Sequence, residues 1–179
     1  TYITRTILAG NGASSSGNNN FANASGAGAF FEAATVTMTN SLVNLNQTTN
    51  PGTDEAGSGI AIDNTLGQRA VIVSNCDLVQ NSSNTNDLTS IAGLLTVNAT
   101  PTITNCIVYF NTGFGLLSFG GTANATYCDF QETTPGTGNV SADPAFVNLN
   151  GHDYHLTLSS PCVDTGRSTA GGSFGGVTV

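Results

Sequence analysis

Five stretches of this chain align without gaps: TRTILAGN (4–11), TNSLVNLN (39–46), SNCDLVQN (74–81), TNCIVYFN (104–111) and TYCDFQET (126–133). Position one is always Ser or Thr. Position three is small, being Thr6, Ser41, Cys76, Cys106 and Cys128. Position five is apolar, being Leu8, Val43, Leu78, Val108 and Phe130. Position eight is Asn11, Asn46, Asn81 and Asn111 before it becomes Thr133. A fixed period of this kind marks a repeat architecture, in which each unit buries its apolar face on its neighbours.

Working outward, each later motif is preceded by two more short apolar runs. The first follows a glycine: GAFFEA (28–33), GIAIDN (59–64), GLLTVN (93–98) and GLLSFG (115–120). The second leads into the motif: TVTMTN (35–40), AVIVSN (70–75), TPTITN (100–105) and TANATY (122–127). Each run is too short for a helix and alternates with the two-residue period of a strand. Three such strands per period predict an all-β, right-handed parallel β-helix of about six to seven coils, stacked at the inter-strand spacing of ~4.8 Å. The motifs start at 4, 39, 74, 104 and 126, so the period contracts from 35 residues to 30 and then 22. The extra chain falls between each motif and the next glycine-led strand, at 12–27, 47–58 and 82–92. Loops are therefore extruded from one corner. Such a corner is either a binding face or a set of tolerated spacers. The expected organisation is a β-helix over 1–166, with motif coils over 1–133 and terminal coils over 138–166, then a Gly-rich tail at 167–179.

Stacking gives the repeated side chains a role. Asn tolerates left-handed backbone at corners, and stacked amides can form a hydrogen-bonded ladder, so Asn11, Asn46, Asn81 and Asn111 are read as corner residues in such a ladder. Cys76, Cys106 and Cys128 read as a reduced column of small residues, with a Cys128–Cys162 disulfide as the weaker alternative.

Composition agrees with an all-β chain. There is no Lys, and charged residues make up 8% of the sequence, about a third of the usual share. The net charge of −8 argues against nucleic acid, whose binding needs cations to displace counterions. No apolar run approaches the ~18 residues of a membrane span. No basic segment followed by an apolar stretch opens the chain, so no signal peptide is read there, and a mature or partial chain is expected.

The stretch GNVSADPAFVNLNGHDYHLTLSSPCVDTG (138–166), together with the stacked Asn motif, resembles bacterial surface and secreted β-helix proteins of the pectin-lyase-like superfamily. Gly138, Asn139, Asp143, Pro144, Phe146, Asp153, Tyr154, Leu156, Ser160, Pro161, Asp164 and Gly166 carry the resemblance. It implies an extracellular or cell-surface location and an architecture, but no single activity.

The same superfamily contains polysaccharide lyases and hydrolases, so acid–base chemistry was sought. A hydrolase needs two carboxyls facing one groove. Glu32 and Asp63 occupy matching strand ends in successive coils, and Arg69 is the nearest candidate base. Asp77 and Asp129 share motif position four, two coils apart. Asp54 and Glu55 form a candidate calcium loop with Asn50 and Thr53. His152, Asp153 and His155 read as a turn and an outward strand residue. Structural roles are favoured for all of these, and no cofactor is required. The first reading is therefore a non-catalytic extracellular filament subunit, stalk or adhesin that stacks end to end as a homo-oligomer. The alternative is a carbohydrate-binding or polysaccharide-degrading β-helix that uses the loop-bearing face.

Overall fold

The computed structural model describes residues 1–14, 26–49, 57–83 and 91–167. Four parallel sheets run along the stack. Sheet A contains Tyr2–Thr4, Val36–Thr39, Val71–Ser74, Thr102–Thr104 and Asn124–Thr126. Sheet B, built from the repeated motif, contains Ile7–Ala9, Leu42–Asn44, Asp77–Val79, Ile107–Tyr109 and Asp129–Phe130. Sheet C is short: Gly12–Ser14, Gln47–Thr49 and Ser82–Ser83. Sheet D comprises Ala29–Glu32, Ile60–Asp63, Ile91–Val97 and Phe114–Phe119. The chain passes through A, B, C and D in turn and then returns to A, which is a parallel β-helix. Sheet C is an addition to the three expected strands. The first residues of each insert continue the coil before the loop departs.

Registers follow the sequence alignment. Leu8 pairs with Val43, Val43 with Leu78, Leu78 with Val108 and Val108 with Phe130. These side chains point inward and meet Met38, Val73 and Ile103 from sheet A and Ile60, Ile62 and Leu94 from sheet D in one core. Most are wholly removed from water, and each fully buried aliphatic side chain contributes ~1.5–3 kcal/mol.

The leading glycines form a column because nothing else fits. A Cβ on Gly59 would lie 2.4 Å from the carbonyl oxygen of Gly93, and one on Gly93 would lie 2.1 Å from that of Gly115. Consecutive coils thus approach too closely at this corner for any side chain.

Two expectations change. The left-handed corner residues are not the ladder asparagines. They sit at motif position two (Arg5, Asn40, Asn75, Asn105, Tyr127) and position seven (Gly10, Leu45, Gln80, Phe110), with φ from 50° to 66°. The chain turns one residue before each ladder Asn, whose side chain then points inward. The terminal stretch also takes another form. Val140 adds one parallel bridge to Asp129, closing a partial sixth rung. Phe146–Asn148 and Asp153–Leu156 then form an antiparallel pair joined by a short 3₁₀ turn at Leu149–Gly151. This pair folds back over the outside of sheet B, where Tyr154, Phe146 and Leu149 pack with Leu42, Val79 and Phe110. Among the described residues, no helix is long and apolar enough to cross a membrane.

Candidate functional site

The ladder asparagines form a continuous side-chain network. Asn46 Oδ1 accepts from Asn11 N (3.0 Å) and Asn11 Nδ2 (2.9 Å). Asn81 Oδ1 accepts the same two bonds from Asn46, and Asn111 Oδ1 accepts them from Asn81. The remaining amide hydrogens of Asn46, Asn81 and Asn111 go to the carbonyls of Leu8, Val43 and Leu78. Asn46 and Asn81, which also begin Asn-x-Ser/Thr sequences, are buried and closed to modification.

The small column behaves alike. Ser41 Oγ donates to Thr39 O and accepts from Thr6 N. Cys76, Cys106 and Cys128 each donate to the carbonyl two residues earlier, and Cys128 Sγ accepts from Cys106 N. All four cysteines, Cys162 included, are free thiols.

Each column ends on a side chain from residues 131–139. Gln131 Oε1 accepts from Asn111 N at 2.8 Å, ending the asparagine ladder. Glu132 accepts from Gly115 N (3.0 Å) and Leu116 N (2.7 Å), ending the glycine column. Asn139 Oδ1 accepts from Cys128 N at 3.0 Å, ending the cysteine column. Gln131, Glu132 and Asn139 escaped sequence reasoning. Their one visible signal is that the fifth motif breaks the Asn rule at Thr133.

The carboxyls fall into three groups. Glu32 and Asp63 are register partners on sheet D. Glu32 is exposed, and Asp63 accepts from Thr65 N at 2.7 Å in a local turn. Arg69 donates to Gln68 O and makes no ion pair among the described residues, so this trio does not converge. Asp54 and Glu55 lie outside the described residues. Asp153 pairs with His155 on the exposed strand, and this contact holds the Asp153 carboxyl below its ordinary range. His152 Nδ1 lies 3.2 Å from Gln80 Oε1 and 3.3 Å from the Tyr154 hydroxyl, which donates to Gln80 Oε1 at 2.7 Å and accepts from Asn44 Nδ2.

The third group is chemically distinct. Asp77 and Asp129 point outward from sheet B, yet both are buried because residues 138–166 lie over them. With Cys162 they line a cavity of about 50 Å³ beneath that segment. Asp129 Oδ1 accepts from Ala142 N (3.1 Å), and Oδ2 accepts from the Cys162 thiol (3.0 Å). Burial raises the Asp129 carboxyl in spite of those bonds. Burial, and then the Asp129 carboxylate, raise the Cys162 thiol, which therefore stays protonated and is no nucleophile. Asp77 makes no hydrogen bond to a described residue, and burial pushes it up to about 7. Two rungs at ~4.8 Å each separate the two strands, a spacing in the range of paired carboxyls that act on either side of a sugar. The closed cavity has room for a few waters, whereas ligand pockets run to ~300 Å³ or more. No protein-family model, curated protein or solved structure matches the chain.

Proposed function

We propose that this chain is a non-catalytic extracellular structural protein, a β-helical part of a filament, stalk or adhesin. The observation that carries this reading is the asymmetry of the stack. Gln131, Glu132 and Asn139 close every column at one end. At the other end Asn11 Oδ1 accepts no bond from a described residue, and the Tyr2–Thr4 and Ile7–Ala9 edges have no strand beyond them. Such an edge is a template for another parallel coil. Stacking on that edge is the proposed homo-oligomeric contact, and identical copies can add head to tail only where the 131–139 cap gives way. The resemblance of 138–166 to secreted β-helix proteins supports the extracellular assignment.

A second reading, a polysaccharide-binding or polysaccharide-degrading β-helix, is favoured by Asp77 and Asp129 sharing one face with raised carboxyls. Electron microscopy of the purified chain, together with a panel of neutral and acidic polysaccharides, separates the two. Stacked rods without turnover support the structural reading. Turnover that disappears in Asp77→Asn overturns it.

A further inference from the structure

The outward face of sheet B offers no reason in itself to bury a carboxyl. At motif position four it carries Ile7, Leu42, Asp77, Ile107 and Asp129 in register. Residues 138–166 cross this face from Val140 to the Tyr154 contacts with Asn44 and Gln80. They then return to Asn105, where Arg167 N donates to Asn105 Oδ1 and Asn105 Nδ2 donates to Arg167 O. The fixings along this path are hydrogen bonds and the Phe146–Tyr154–Phe110 aromatic contacts. No disulfide or ion pair holds the segment to the sheet among the described residues.

Asp77 lies under the middle of this path. The ionisable groups sharing its cavity are Asp129 and Tyr127 from the stack, Cys106 and Cys128 from the interior column, and Cys162 from the covering segment. Asn75, Asn105 and Thr165 are neutral, and no Arg or His lines the cavity. Every ionisable neighbour is thus neutral or negative, and a charge on Asp77 has no counter-ion. A buried carboxylate left in this state is costly, whereas the carboxylic acid is tolerated.

We propose that residues 138–166 form a pH-gated clasp over sheet B, closed while Asp77 carries its proton and loosened when it does not. Beneath the clasp Asp77 keeps its proton to about pH 7, and once the clasp lifts the carboxyl returns toward its ordinary 3.8. The open form therefore sheds a proton at lower pH than the closed form does. Closure is fully favoured below about pH 4, weakens steadily from 4 to 7 and levels off above 7. Lifting the segment also uncovers Leu42 and Val79, the apolar part of the outer face.

Amide hydrogen exchange of the intact chain from pH 5 to 8, corrected for the intrinsic pH dependence of exchange, tests this. The opening equilibrium of the 145–160 amides should rise on the order of a hundredfold across that range, while sheet A amides stay protected. Asp77→Asn should flatten the profile and keep the segment closed at pH 8. A flat profile in the unmodified protein overturns the clasp whether or not the variant folds. So does an equally steep profile in Asp77→Asn, or a rise shared by sheet A.

Discussion

The two ends of the stack are built from the same motif and finished differently. At the first rung Ile7 and Tyr2 are largely exposed, at 55% and 86%. At the fifth, Phe130 is fully buried and Asp129, Cys128 and Ala125 are nearly so. The difference does not come from better apolar residues. It comes from a nine-residue stretch, 131–139, that supplies one acceptor side chain to each column. A repeat can be identical in its interior and still owe its stability at each end to residues outside the repeat.

Substitutions can break this comparison in a graded series. The largest effect is expected from Gly93→Ala, whose new Cβ would meet a backbone oxygen at 2.1 Å. Loss of more than ~4 kcal/mol, or no folded protein, should follow. Gly12→Ala at the open end meets nothing within 4 Å and should stay within ~0.5 kcal/mol of the unmodified chain. Next comes Asn81→Ala in mid-ladder. It removes two bonds accepted from Asn46 and two donated to Val43 and Asn111. Denaturant unfolding should show a loss of ~3–5 kcal/mol, because several buried groups lose partners together. Gln131→Ala strands the single Asn111 N–H and should cost ~1–3 kcal/mol, with faster exchange confined to the last rung. Asn11→Ala should cost least, under ~1 kcal/mol, because its donors can reach water. If Asn11→Ala proves as damaging as Gln131→Ala, the open end is covered in solution.

The strands and columns were legible because their causes are periodic. An inward position, a close approach and an amide ladder each impose one residue type per coil. The corners were legible only in part. Asn40, Asn75 and Asn105 suit a positive φ, but Leu45, Gln80 and Phe110 adopt it at position seven. There the bonding of neighbouring coils overrides local preference. The caps were hidden for the opposite reason. Gln131, Glu132 and Asn139 each occur once, and nothing local distinguishes a capping amide from a solvated one. Asp77 read as an exposed strand carboxyl. Its burial depends on a segment more than sixty residues away folding back across it, which no pattern around position 77 encodes.

The asparagine ladder has a hand-to-hand direction. In every step the earlier coil gives both N–H groups and the later coil gives one oxygen. The open rung is therefore a socket with Asn11 Oδ1 at its centre, and it accepts only a plug that brings donors. Two copies meeting socket to socket would set oxygen against oxygen. The ladder thus encodes which way round a neighbour must arrive, and it does so without a charged residue.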